Sequence, residues 1–159
     1  MMAAAKDIMT RNVVTVQPET PVAEVAELLA NRRFGAVPVV AADGMVLGVV
    51  SEEDLVERAS RVHLPHHVYF LGAVVYLEDP RKFEAEAEKI LALTAREIMH
   101  RDFASIGTDE VIETVATRLL RDDLRRLLVL DDQGRLQGII TRADIVRTFT
   151  TEGRLPDEE

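Results

Sequence analysis

The 159-residue sequence predicts an α/β fold of the α+β kind: two β-α-β-β-α units in which sheet and helices pack as two layers. Three observations predict it. The chain repeats itself, because residues 5–58 lie without a gap over residues 95–148 and 12 of the 54 aligned positions are identical. Within each copy the apolar spacing changes from helical to extended and back. Each copy also sets a glycine-bearing turn, Ala-Asp-Gly44 or Asp-Gln-Gly134, between two short apolar runs, as a hairpin needs.

Each unit opens on an extended segment, Val13–Val16 or Phe103–Ile106. An amphipathic helix follows. Val22, Val25, Ala26 and Leu29 recur at i, i+3, i+4 and i+7, and Ile112, Val115, Ala116 and Leu119 repeat the stripe. Thr20 is placed to cap the first of these helices, with Pro21 at its first position. A strand comes next (Ala36–Val40; Leu127–Leu130), then the turn, then a second strand (Val46–Val50; Leu136–Ile140). A second helix starts from Ser51 or Thr141.

Composition narrows the function classes. Hydrophobic residues are 47% and charged residues 30%, ordinary for a globular chain that buries a core. Nineteen Lys and Arg stand against 28 Asp and Glu, a net charge of −9. That balance argues against non-specific nucleic-acid binding, which needs a basic face, while leaving room for a local basic pocket. The absence of cysteine excludes disulfides, thiolate metal sites and cysteine nucleophiles. No Trp and only 4% aromatics argue against a base-stacking platform. The longest apolar run, Val68–Leu77, falls short of the about 18 residues of a membrane span. Met1–Ala5 has no basic stretch before an apolar one, so no signal peptide is expected and a cytoplasmic location is the default.

Both copies carry one further pattern: Gly, two β-branched residues, Ser or Thr, two variable residues, Asp. It reads Gly48-Val-Val-Ser51-Glu-Glu-Asp54 and Gly138-Ile-Ile-Thr141-Arg-Ala-Asp144. The copies begin on Asp-Ile-Met-Thr (7–10) and Glu-Ile-Met (97–99), and Gly35-Ala-Val-Pro38 and Arg125-Arg-Leu-Leu-Val-Leu-Asp131 fit as well. With these motifs the chain resembles a stand-alone tandem pair of CBS domains, a Bateman module, over about 108 of its 159 residues. The resemblance implies two repeats packed with pseudo-twofold symmetry and clefts between them that take adenine nucleotides (AMP, ADP, ATP) or other adenosyl ligands. It further implies a homodimer and regulatory action on a separate effector protein. The expected organisation is repeat 1 over 5–59, a connecting insert over 60–94, repeat 2 over 95–149 and a flexible acidic tail over 150–159.

The motif admits two readings. A Ser or Thr followed three residues later by an acid is a helix capping box, the hydroxyl meeting a first-turn N–H and the acid favouring the positive helix end. The same carboxylate can accept the hydroxyls of a ribose, as acids do in dinucleotide folds. The resemblance brings Ser51, Asp54, Thr141 and Asp144 to the ligand. Thr15-Val16 and Ser105-Ile106 then edge the base, and Val37-Pro38, with Leu128 in the matched place of Pro38, wall it.

The phosphate end separates the copies. Arg125 and Arg126 precede the first strand of repeat 2, where repeat 1 has Gly35 and Ala36. Arginine is the natural fork for phosphate oxygens. Arg142 and Arg147 lie near the second motif. Pairing of these arginines with Asp122, Asp123 or Asp131 on the surface is the competing reading. Repeat 2 (95–149) has nine positive and ten negative residues, against five and nine in repeat 1 (6–59), so a phosphorylated adenosine is expected on repeat 2.

The insert is too long for a plain loop. Asp79-Pro80 looks like an N-cap with a first-turn proline, and Phe83, Ala87, Ile90 and Leu91 form a stripe, which predicts a helix over 80–93. Val68–Leu77 is ambiguous between helix and strand. A dimer contact, a lid over a cleft and packing against its own module are the readings of the insert. His63, His66 and His67 invite a metal site, but Pro65 interrupts their spacing and a solvated loop is the better reading. No catalytic residues and no metal are therefore expected.

Three function classes follow. The first is a non-catalytic adenine-nucleotide sensor read by a partner protein. The second is a ligand-independent interaction module in which the motifs only cap helices. The third, an enzyme, is the weakest. The sequence has no nucleophile–base set, no Gly-rich phosphate loop and no His/Glu zinc motif.

Overall fold

The computed structural model describes residues 3–32, 35–62 and 65–152, with side chains through Thr150. In chain order the elements are α1 (Ala5–Ile8), α2 (Val22–Arg32), β1 (Ala36–Val40), β2 (Val46–Ser51) and α3 (Glu52–Ser60). Then come β3 (His67–Phe70), β4 (Ala73–Tyr76), α4 (Pro80–Ala92), α5 (Ala95–Ile98) and β5 (Ser105–Gly107). The chain continues through α6 (Ile112–Arg121), β6 (Arg126–Leu130), β7 (Leu136–Thr141) and α7 (Arg142–Glu152). The second repeat follows the expected β-α-β-β-α order as β5-α6-β6-β7-α7, and the first follows it from its helix onward as α2-β1-β2-α3.

The elements fall into two compact units. One takes its described residues from Met1–Thr15, Val40–Val46 and Asp102–Glu159. Its sheet runs β5-β6-β7, with β5 parallel to β6 and β6 antiparallel to β7. Strand alternation sends Leu127 and Val129 of β6 into the core, where they meet Val115 and Leu119 of α6, Ile140 of β7 and Ile106 of β5. Burying an aliphatic side chain of this size contributes about 1.5–3 kcal/mol.

The other unit takes Val16–Val39 and Leu47–Arg101. Its core joins Val22, Val25 and Leu29 of α2 to Val37 and Val39 of β1 and Val50 of β2. The helical stripes read from the sequence are thus the faces that each unit buries. The β3–β4 hairpin also belongs here, and all eight of its strand residues are exposed. The Val68–Leu77 ambiguity resolves to two strands, joined at Leu71-Gly72, where both residues take positive φ of 49° and 79°. α4 runs Pro80–Ala92, capped by Asp79, whose carboxylate accepts from the Arg81 N–H at 3.0 Å.

The units interleave the two sequence repeats. Ala5 and Met9, from the start of the first repeat, lie in the core built mainly from the second. Ala95 and Ile98, from the start of the second, lie in the core of the other unit. The glycine of each motif is what admits them. A Cβ on Gly138 would stand 2.6 Å from Met9 Sδ and 2.9 Å from the Thr10 carbonyl oxygen. A Cβ on Gly48 would stand 2.7 Å from the His100 carbonyl oxygen and 2.8 Å from Met99 Sδ. The Ile-Met segment therefore seats on bare backbone, and the residue after it adds a short antiparallel bridge, Thr10 to Ile139 and His100 to Val49.

Three local details differ from expectation. Thr20 does not cap α2; its hydroxyl accepts the Gln17 N–H at 3.0 Å. Pro21 occupies the capping place, its carbonyl receiving Val25 N–H, because an antiparallel bridge to Thr94 holds Pro21 extended. Of Val13–Val16 only Val16 pairs, as a parallel bridge to Val39, whereas β5 is a strand over Ser105–Gly107. α7 continues through Glu152; the rest of the tail lies outside the described residues.

Candidate functional site

The residues of the second motif gather on one sheet. Ser105 of β5 lies opposite Leu128 of β6, Leu128 opposite Ile139, and Arg126 opposite Thr141 of β7. Arg126 and Leu128 share the face of β6 that turns away from Leu127 and Val129. Leu128 is buried, Arg126 half-buried and Arg125, just ahead of the strand, exposed. Ile106 points the other way, into the core, so its backbone rather than its side chain is what β5 presents to that face.

Asp144, in the first turn of α7, is almost fully buried at 4% exposure. A buried carboxylate is costly unless it is hydrogen-bonded and paired, and here the two oxygens divide the work. Oδ2 accepts the Thr141 N–H at 2.8 Å and the Thr141 hydroxyl at 3.2 Å, closing the helix end. Oδ1 meets only side chains, the Arg147 guanidinium and, at 3.5 Å, the Thr10 hydroxyl. Capping therefore occupies one oxygen, and the other is held by groups that a ligand hydroxyl can replace.

The first motif is built alike and partnered differently. Asp54 Oδ2 accepts the Ser51 N–H at 2.7 Å and the Ser51 hydroxyl at 2.9 Å. The same oxygen lies 2.8 Å from Nδ1 of His100, the counterpart of Thr10. Ser51 is buried and completes the box by accepting the Asp54 N–H. Pro38 lies on β1, and its carbonyl accepts the Val16 N–H at 3.0 Å. Val37 and Val16 have their side chains in the core, so they do not reach the face that carries Pro38. Thr15 is exposed.

Charge divides the two motifs further than Arg125 and Arg126 suggest. Where repeat 2 has Arg125, Arg126, Arg142 and Arg147, repeat 1 has Gly35, Ala36, Glu52 and Glu57. Arg142 itself is spent on structure. Its guanidinium donates to the Leu119 and Leu124 carbonyls and to Asp123, tying down the end of α6 immediately before Arg125. Asp122, the other acid there, pairs with Arg121, whose guanidinium holds its carboxyl below the usual range. Asp131 accepts the backbone N–H groups of Gln133 and Arg135 in the β6–β7 turn.

An open cleft of about 490 Å³ lies at the far end of β5, lined by Ser105, Ile106 and Gly107 with Glu110, Thr114, Arg118 and Asp132. Arg118 donates to the Ser105 carbonyl at 2.6 Å. Neither Asp144 nor the arginine pair lines this cleft. His66 pairs with Glu78 at 2.8 Å and the His67 ring packs edge-on against Tyr69; His63 lies outside the described residues. Among the described residues no group of three His, Cys, Asp or Glu could hold a metal ion, and no helix is long and apolar enough to cross a membrane.

Arg147, read from the sequence as lying near the second motif, pairs with its carboxylate, but sequence reasoning missed Thr10 and His100 as the groups facing the two motif carboxylates. The 90-residue register held the signal, since Thr10 and His100 are counterparts, but each contact joins residues far apart in the chain.

Comparison with known proteins extends this geometry. The family model described as "CBS domain" matches residues 5–61 and 95–150. The uncharacterized protein MJ1426 of Methanocaldococcus jannaschii is 27% identical over 151 residues, covering 91% of this chain and 89% of its own. The chloroplastic CBS domain-containing protein CBSX2 of Arabidopsis thaliana is 30% identical over 147 residues, covering 89% of this chain and 61% of its own. Among solved structures, CBSX2 in complex with AMP superposes with a TM-score of 0.71 at 25% identity, over 95% of this chain and 98% of that one.

Proposed function

We propose that this chain, which belongs to the CBS domain family, binds an adenosine-containing ligand through its second repeat and acts as a non-catalytic regulatory module on a separate protein. The observation that carries the reading is the divided carboxylate of Asp144. Its Oδ2 closes the helix and its Oδ1 is held by Thr10 and Arg147. A ribose hydroxyl takes the place of the Thr10 hydroxyl at Oδ1, and Arg147, released from Asp144, adds positive charge beside Arg125 and Arg126 for the phosphate. Leu128 supplies an apolar wall and the Ser105-Ile106 backbone an edge for the base. The AMP complex of CBSX2 supports the ligand class. The charge contrast with repeat 1 supports a phosphorylated ligand on repeat 2, with AMP or ADP ahead of uncharged adenosyl compounds.

Binding that favours one conformation shifts the population a partner protein reads. The test is calorimetric titration of AMP and of adenosine against the wild type and Arg126→Ala. Preference for AMP that collapses in the variant supports the reading. Equal affinity for AMP in both proteins removes Arg126 from the site, and no binding of either ligand by the wild type leaves the ligand-independent interaction module. That second reading has its own support, because the Ser51–Asp54 capping box is complete without any ligand and Asp144 accepts the Thr141 N–H in the same way.

A further inference from the structure

We propose that the groove between α2, α3 and α4 is a docking site for a basic amphipathic helix of a separate protein. The inference rests on the regulatory reading above, for which it names the kind of partner. The groove lies within the unit of Val16–Val39 and Leu47–Arg101 and measures about 370 Å³. Ala26 of α2, Leu55 and Ala59 of α3, and Phe83, Ala87 and Ile90 of α4 line it, and none of its lining side chains carries a polar atom. These are apolar stripes at helical spacing, yet neither α3 nor α4 has a buried residue. Protein interiors pack without voids of this size, so the three stripes face a place for a further element.

Three alanines, one from each helix, open the space. In the 90-residue register Ala59 is matched by Phe149, so the same helix position carries a large ring in the other copy. Repeat 2 has no counterpart of α4, which makes the groove a property of repeat 1 and its insert. The 13 residues of α4 span about 20 Å, enough to lie along a partner helix in the helix-in-groove mode.

Charge selects the occupant. Residues beside an apolar stripe form its rim on a helix. Glu27 follows Ala26, Glu52 stands three residues before Leu55, and Glu84 and Glu86 flank the stripe of α4; all four are exposed. Among the described flanking residues the base is Arg58, and its guanidinium donates to the Glu97 carbonyl at 3.3 Å. An apolar floor with an acidic rim, in a chain of net charge −9, fits a helix that is apolar on one face and rich in Lys or Arg beside it. An acidic helix is repelled there, and a small apolar molecule uses the floor but none of the rim.

The chain has no tryptophan, which gives the test a clean signal. The probe is a synthetic peptide of about 18 residues, about five helical turns. It carries Leu at i, i+3, i+4 and i+7, Lys elsewhere and one Trp within the apolar stripe. Titrated into the full chain without nucleotide, its Trp emission is expected to shift to the blue. A peptide with Glu in place of Lys is expected to bind at least about tenfold more weakly, a gap that salt narrows. Ala59→Phe, which fills the groove with the ring that repeat 2 carries, is expected to weaken the Lys peptide about tenfold with unchanged melting. The exposed pair Glu27→Lys and Glu84→Lys should weaken it as well, without touching the floor. Equal binding of the Lys and Glu peptides, a Lys peptide insensitive to Ala59→Phe, or no binding at all overturns the proposal. So does a change of molecular mass of the full chain in Ala59→Phe, which assigns the groove to a second copy. Nucleotide is absent from every arm, so these outcomes are separate from those of nucleotide binding.

Discussion

Nδ1 of His100 lies 2.8 Å from Oδ2 of Asp54, and ninety positions round the repeat the same place is filled by Thr10 against Asp144. Each motif carboxylate is thus reached by the residue that follows the Ile-Met pair at the start of the other repeat. One contact is imidazole to carboxylate and the other hydroxyl to carboxylate, so the two ends of one architecture have been given different chemistry.

The His100–Asp54 contact is expected to contribute about 1 kcal/mol, the usual net worth of a half-buried hydrogen bond. His100→Ala should lower the urea midpoint accordingly. His100→Thr, which installs the partner used at the other motif, should recover part of the loss. Identical midpoints for wild type and His100→Ala would show that the contact adds no stability.

The two motif glycines should be intolerant of a single methyl group. Gly138→Ala forces Met9 and the Thr10 backbone to move, and Gly48→Ala does the same to Met99 and His100. Each is expected to cost about 1–3 kcal/mol, measured as a fall in melting temperature. Adding Met9→Ala to Gly138→Ala should return some of it, because the side-chain clash goes and the approach to the Thr10 carbonyl stays. Additive losses in the double variant count against the close-approach explanation.

Nucleotide affinity should track the arginine pair. Arg126→Ala is expected to weaken AMP binding about tenfold and adenosine binding little, since a charge-assisted bond to phosphate is lost and the nucleoside contacts remain. Raising salt should narrow the gap between AMP and adenosine in the wild type. A titration in which both ligands weaken equally would assign Arg126 a structural role.

Acid should fray α4 from its start. The Asp79 carboxyl is held below its ordinary range by the Arg81 side chain and by the Arg81 N–H. A group whose pKa is lower in the folded state stabilises it above the unfolded pKa, about 3.9 for Asp, and that contribution disappears as pH falls through the lower folded value. Amide exchange in the first turn of α4 is therefore expected to accelerate below about pH 4. Asp79→Asn, which still caps but does not titrate, should flatten that dependence while keeping the helix at neutral pH.

The repeat, the order of strands and helices from the first long helix of each copy onward, the Ser51–Asp54 capping box, the Asp79 cap and the charge asymmetry of the copies were legible in the residues themselves. Each rests on spacing within one turn or one strand, or on a register that two stretches of text can be laid against. The Val68–Leu77 run resisted because a short apolar run is equally a strand or a buried helix, and Leu71 in a left-handed turn is the residue least suited to signal one. Thr20 misled because its cap competed with a neighbouring bridge, Pro21 to Thr94, that joins distant parts of the chain.

What the sequence determined by itself is the α+β architecture and the doubling of one motif, since helical and extended periodicity are local properties of the chain. Only the tertiary structure decided that each repeat lends its opening helix to the other's core, that Val37 turns inward while Leu128 and Arg126 share the opposite face, and that His100 faces Asp54 where Thr10 faces Asp144. Those arrangements are choices among partners tens of residues apart. They are settled by which apolar faces must be covered and which bare-backbone glycines can admit them.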